Sequence, residues 1–175
     1  MTLETIQEAF YADLLSIPYS RHLGVVIERD PDGAARVKIP FKPQLSGADG
    51  QVSPAVLFAL GDTASAAEMS REMAPRVIEL EMGAIFLTVS SRFRQLAPAH
   101  GSIGAETRLT SGLDEESGRS KEARKATIGV AAEISDDSGT KVAEHEAHFY
   151  IRFMPASQLR ALMPGHSEVV EILSS

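Results

Sequence analysis

Leu3, Ile6, Phe10 and Leu14 recur three and four residues apart, which predicts an amphipathic helix over residues 3–15. The period then changes. GVVIE (24–28) and ARVKIPF (35–41) read as strands, joined by DPDG, whose proline, aspartates and glycine favour a turn, so the pair forms a hairpin. KPQLSGADGQV (42–52) is a polar, glycine-bearing loop. Ser53 is a good helix N-cap, and Pro54 suits the first helical position, where a missing N–H costs little. From there a helix is expected to about Met73, ending before Pro75 and spanning roughly 30 Å. Apolar or small on nearly every side, it should be enclosed rather than laid on a surface.

The remaining pattern is β. AIFLTVSSRF (84–93) alternates Ile85, Leu87 and Val89 with Thr88, Ser90 and Arg92. SIGAETRLT (102–110) alternates Ile103, Ala105, Thr107 and Leu109 with Gly104, Glu106 and Arg108. KATIGVAAEI (125–134) sets Ile128, Val130, Ala132 and Ile134 on one face, and KVAEHEAHFYIRF (141–153) does the same with Ala143, Ala147, Phe149, Ile151 and Phe153. APAHG, LDEESGRSKEA and SDDSG are connections. Four long strands in succession predict an antiparallel meander, and one buried helix against such a sheet is an α+β architecture. One domain is expected over 1–155, with a tail, 156–175, belonging to it.

Composition narrows the function. Of 175 residues 43% are hydrophobic and 23% charged, and the net charge of −7 with no basic patch argues against nucleic acid. With no cysteine, thiolate metal sites and a cysteine nucleophile are excluded. The N-terminus has no apolar run of signal-peptide type, and nothing approaches the ~20 apolar residues of a membrane span, so a soluble, cytoplasmic protein is expected.

The sharpest question lies inside the long helix. SPAVLFALGDTASAAEM (53–69) places Asp62 among apolar neighbours, with Phe58, Ala59, Ser65 and Ala66 three and four residues away and no cation among them. An unpaired acid in such surroundings raises its pKa. Either a loop or a distant arginine satisfies it, or it is a functional acid at a water-accessible cleft. Gly61, costly inside a helix, signals close approach of another backbone or a ligand. His145 and His148, three apart on a strand, point to opposite faces, so no metal site is expected. His100 falls in a turn, His166 in the tail, and His22 reads as structural. No G-x-S-x-G elbow supports Ser-His-Asp chemistry, and GADG is not a phosphate loop.

In order and spacing the chain resembles the hotdog-fold thioesterases, especially the phenylacetate-pathway (PaaI-like) type acting on acyl-coenzyme A. RHLGVVIE and ARVKIPF resemble that family's opening hairpin, VLFALGDTASA the start of its central helix, SSRFRQLAPAHGSIGAETRL a strand, turn and strand, and SDDSGTKVAEHEAHFYIRF the closing hairpin. The resemblance implies a hotdog fold, in which a curved antiparallel sheet wraps a long helix. Where the family carries a histidine and two glycines entering the helix, this chain has Ser53, Pro54 and Ala55; the acid is Asp62 and the loop glycine Gly50. Gly47 replaces a frequent asparagine, and Phe86 falls where a relative's partner subunit contributes a serine or threonine.

The resemblance thus implies an acyl-coenzyme A thioesterase that uses Asp62 as general base or as nucleophile, coenzyme A entering only as part of the substrate and no cofactor being needed. Pro54 has no N–H to polarise the thioester, leaving the unpaired first-turn N–H groups of Ala55 and Val56 for that role. Ser53 orients water or only caps the helix; Ser65 holds the carboxylate, reaches into a subunit seam or simply packs; Phe86 lines an acyl pocket or packs the core. Arg119, Lys121, Arg124 and Lys125, in a run that reads as a solvated hairpin tip, are candidate contacts for coenzyme A phosphates. A homodimer with its site across the seam, and pairing of dimers into tetramers, are also implied. The competing reading is an acyl-coenzyme A or acyl-lipid binding protein of the same fold without turnover, with a hydratase of related fold behind it.

Overall fold

A computed structural model describes residues 2–29, 34–112, 124–162 and 167–174. The expected DPDG turn, the charged run over 113–123 with Arg119 and Lys121, and His166 lie outside the described residues. The first helix, α1 (Leu3–Ser16), starts at Thr2, whose hydroxyl accepts the Thr5 N–H. It buries Ile6, Phe10, Tyr11 and Leu14, as its spacing requires. A short α2 (Pro18–Leu23), absent from the sequence reading, opens on Pro18 and ends at Gly24 in the left-handed conformation (φ 71). The first strand therefore begins two residues late. β1 (Val26–Arg29) and β2 (Ala35–Ile39) form the expected antiparallel hairpin.

The long helix α3 (Pro54–Leu80) runs past its expected end, with Pro75 inside it. An interior proline costs ~3 kcal/mol. Beyond it, however, Val77 is completely buried, and Ile78 and Leu80 pack on the same cluster as Phe149, Ile151 and Phe153. Each well-buried apolar side chain contributes roughly 1.5–3 kcal/mol, so tertiary burial outweighs the break. Termination comes instead at Glu81, left-handed at φ 51, whose N–H bonds the carbonyls of Val77 and Ile78.

β3 (Gly83–Gln95), β4 (Ile103–Ser111), β5 (Lys125–Asp136) and β6 (Lys141–Met154) complete the sheet. Among the described residues its six strands run in the order β1-β2-β4-β5-β6-β3 with every pairing antiparallel. The four-strand meander is corrected: β4, β5 and β6 are successive neighbours, but β3 pairs with β6 and stands at the far edge. Residues 96–102 cross the ends of β6 and β5 to reach β4. Three strand spacings are about 14 Å, which seven residues at ~3.3 Å easily cover. Val142 holds the crossing, its carbonyl accepting the Leu96 and Ala97 N–H groups at 2.8 and 3.2 Å. The fold is α+β, with a curved antiparallel sheet packed on one long helix.

α3 lies between α1 and the inner face of β2, β4, β5 and β6, and is enclosed as its composition implies. In β3 the inward set contains Phe86, which packs on the core. Leu87 and Val89 are 64% and 61% exposed on the edge strand. The tail forms α4 (Ala156–Leu162) and α5 (Glu168–Ile172), which return over β3 and α1. One carboxylate anchors it: Asp13 accepts the Ser167 hydroxyl and the Glu168 N–H, each at 2.7 Å. No described helix is long and apolar enough to cross a membrane.

Replacing Asp13 with Ala strips two charge-assisted bonds from the N-terminus of α5 and should lower unfolding free energy by about 1–2 kcal/mol. Amide exchange over 168–172 should quicken in that variant while exchange in β4–β6 stays unchanged. Equal protection of the tail in both proteins would contradict the anchor.

Candidate active site

The turn entering α3 is built on local rules. Gly50 is left-handed (φ 75) and its N–H bonds the Gly47 carbonyl, so its glycine is required by the turn itself. Ser53 caps α3: its hydroxyl accepts the Ala55 N–H at 3.3 Å, and its carbonyl accepts the N–H groups of Val56 and Leu57 at 2.9 and 3.2 Å. The expectation that the Ala55 and Val56 N–H groups stand unpaired is therefore corrected. Ser53 satisfies both. Val56 is also buried in the core beside Leu45 and Val52, whereas Ala55 is exposed.

One turn and a half further on, the close approach signalled by Gly61 is real, and the neighbour is a side chain. A Cβ at Gly61 would lie 2.5 Å from the His145 Cβ and 2.8 Å from its Cγ. His145 stands on β6 in the buried alternation set with Ala143 and Ala147, and is 1% exposed. Its Nδ1 hydrogen-bonds with the Ser65 hydroxyl of α3 (3.2 Å), its Nε2 with the Ser91 hydroxyl of β3 (2.8 Å). A neutral imidazole donates through one nitrogen and accepts at the other, so the two serines match it without a charge. Burial depresses its pKa from the ordinary 6.5, opposed by the nearby Asp62 carboxylate.

Asp62, next to Gly61, is half-buried, and burial raises its pKa above the ordinary carboxylate value, with His145 pulling weakly the other way. Among the described residues its carboxylate has no hydrogen-bond or ion-pair partner. Glu68, six residues along the same helix, shows the contrast. It is more deeply buried, at 3% exposed, but Arg71 clasps it with two hydrogen bonds and the Thr107 hydroxyl donates a third. A structural buried acid is paired in this way. Asp62 is not. Around it, Phe58 meets both the Phe93 ring (5.8 Å) and the His145 ring (5.3 Å) edge to face, and remains 41% exposed.

The structure thus brings together Asp62, Ser65, His145 and Ser91. Ser65 holds the histidine rather than the carboxylate, and it is fully buried within the chain. Phe86 lies elsewhere: its ring packs edge to face on Phe149 (5.8 Å) and lines a cavity beside Ser70. His148 bonds the Ser90 hydroxyl on the opposite face of β6 from His145. Lys125 opens β5 beside Arg152. His145 and Ser91 were missed by motif reasoning. The available signal was parity, since a polar residue at 145 interrupts an otherwise apolar buried set. No three His, Asp or Glu side chains gather as metal ligands among the described residues.

No protein-family model matches the chain, and no curated protein matches it in sequence. Solved structures do match it in three dimensions. The E. coli PaaI protein from the phenylacetic acid degradation operon superposes with a TM-score of 0.64 at 16% identity, covering 89% of this chain and 98% of that one. A thioesterase family protein from Silicibacter pomeroyi gives 0.65 at 15% identity, covering 84% and 98%. A probable thioesterase from Pseudomonas aeruginosa gives 0.64 at 22% identity, covering 85% and 95%. The fold is the hotdog of PaaI and its relatives. In this fold the central helix packs on the sheet, and at Gly61 it meets β6 with no side chain between them.

In an ordinary helix, Gly→Ala stabilises by ~1 kcal/mol. Gly61→Ala should reverse that sign. Its Cβ meets an atom tethered to the β6 backbone, so helix and strand must part, and a net loss of about 1–3 kcal/mol is expected in chemical denaturation. A stabilised variant would mean that α3 and β6 are not in contact there.

Proposed function

We propose that the protein is an acyl-thioester hydrolase acting on acyl-coenzyme A, with Asp62 as its central group. The observation that carries this reading is a half-buried Asp62 with no hydrogen-bond or ion-pair partner among the described residues, in a fold shared with thioesterases. As general base, ionised Asp62 takes a proton from water; the hydroxide adds to the thioester carbonyl, the C–S bond breaks, and the thiolate leaves and is protonated. As nucleophile, the same oxygen adds to the carbonyl and water cleaves the resulting anhydride. A carboxylate with a raised pKa is the stronger base once ionised, and His145, kept neutral by burial, does not neutralise it. Within one chain the Ala55 N–H lies seven residues, about 10 Å, along α3 from Asp62, so the oxyanion donor that works with this carboxylate is the Ala55 N–H of a second copy, freed when the Ser53 hydroxyl turns away from its long 3.3 Å bond. Ser53 then also faces the water, and Gly50 shapes the loop beside it.

Asp62→Asn should lower thiol release from acyl-coenzyme A at least 10²-fold while raising the unfolding midpoint at neutral pH, because an amide avoids burying a charge. Wild-type hydrolysis should climb with pH through the raised Asp62 pKa and level off above it. Unchanged release by the variant would end the proposal. The first-turn N–H groups already held by Ser53 favour the second reading, a binding protein without turnover. Wild-type binding of acyl-coenzyme A with no thiol released would select it.

A homodimer fits the exposed features. β3 is an edge strand carrying exposed Leu87 and Val89, and Phe58 beside Asp62 is also uncovered. Such an edge is a template for a second copy, and pairing there extends the sheet. Light scattering should give twice the chain mass or a multiple of it. Val89→Asp should shift the protein to one chain mass, and a wild-type monomer at micromolar concentration would refute the pairing.

A further inference from the structure

Well along α3 from Asp62, the tail closes a second feature. Ser70 lies eight residues on, about 12 Å along the axis and turned by roughly 80°. A cavity of about 210 Å³ opens there between α1, α3, β3 and the two tail helices. Its walls are Phe10, Ile17, Phe86, Leu159, Val169 and Val170. Three serines also border it: Ser16 and Ser167 donate their hydroxyls to Asp13, and Ser70 is the third. Ser70 is 1% exposed and its Oγ has no hydrogen-bond partner among the described residues, on a helix whose other buried small positions are Ala64, Ala66, Ala67, Ala74 and the hydrogen-bonded Ser65. A buried hydroxyl left unmet is destabilising, so its retention points to something that meets it.

The chemistry of the walls selects the ligand. Asp13 also borders the cavity, but Ser167 and the Glu168 N–H each donate to one of its oxygens, and among the described residues no cationic side chain lines the space. An anion would face Asp13 with no counter-charge there, and a cation would give up its water for one neutral hydroxyl and a carboxylate that already holds two donors. An apolar cavity of about 150 Å³ is enough to hold benzene, so this one admits a substituted ring. We infer that the cavity under the tail binds a neutral, ring-sized molecule carrying one hydroxyl, of the benzyl alcohol type, hydrogen-bonded to Ser70 and roofed by α4 and α5. The inference does not rest on the hydrolase reading, since Asp62 takes no part in it.

The test is a titration of the full chain, methyl-labelled, with benzyl alcohol and with toluene, read at Ala84, Leu159, Val169 and Val170. Both probes should shift those methyls saturably, benzyl alcohol more tightly. Ser70→Ala should weaken benzyl alcohol about fivefold and leave toluene unchanged, the size of one neutral hydrogen bond. Ser70→Leu, which fills the space, should abolish both. The inference fails if neither probe shifts these methyls saturably. It also fails if Ser70→Ala affects the two probes alike, or if Ser70→Leu leaves their affinities intact.

Discussion

The contact on which this molecule turns is the one between Gly61 and His145. Ordinary side chains hold a helix and a sheet apart by the thickness of the close-packed layer they fill. Here one partner has no side chain and the other is a ring lying against the helix backbone. The missing Cβ lets β6 bring His145 between Ser65 on the helix and Ser91 on the edge strand, so three elements meet at one imidazole. Asp62 inherits its position from that meeting. It follows Gly61 directly, and it is held at the surface of the seam rather than turned into the core.

The two acids of α3 show what this arrangement withholds. Glu68 is enclosed and fully bonded; Arg71 at i+3 and Thr107 from β4 turn an expensive buried charge into a structural tie. Asp62 sits in comparable apolar surroundings, but the imidazole near it is committed to two serines and kept neutral by burial. The same helix thus supplies the remedy at one site and omits it at the other. Departures of this kind from a locally consistent sequence gather at functional sites. That contrast, more than the fold, sets Asp62 apart from an incidental buried acid.

Much of this was legible in the residues. Strand alternation identified the inward faces of β4, β5 and β6, and the Ser53-Pro54 pair located the start of α3 to the residue. Asp62 and Gly61 stood out because each breaks a helical rule. What escaped was set by distant contacts. Pro75 marks a helix end on local grounds, and burial of Val77, Ile78 and Leu80 in the cluster that holds Phe149, Ile151 and Phe153 carries α3 through it. The place of β3 beside β6 follows from a crossing held by Val142, which no pattern within 96–102 encodes. His145 was read as one of a pair on opposite faces, correctly, but its serine partners lie 80 and 54 residues away. The pairing of the first-turn N–H groups was missed because one residue, Ser53, uses both its hydroxyl and its carbonyl.

Protonation joins these observations. Asp62 has a raised folded-state pKa, so its contribution to stability is full below the ordinary carboxylate value and is lost as pH rises through the raised one. His145 has a depressed pKa, so its contribution is full above 6.5 and is lost as pH falls toward the lower value. Folding therefore favours both groups uncharged. Base or nucleophilic chemistry asks the opposite of Asp62 alone. A fold that met this demand by pairing Asp62 with a cation would lower its pKa and weaken it as a base. With Asp62 unpaired among the described residues and beside a neutral imidazole, the chain gives up some stability at neutral pH, and the proposed chemistry draws on the basicity that this preserves.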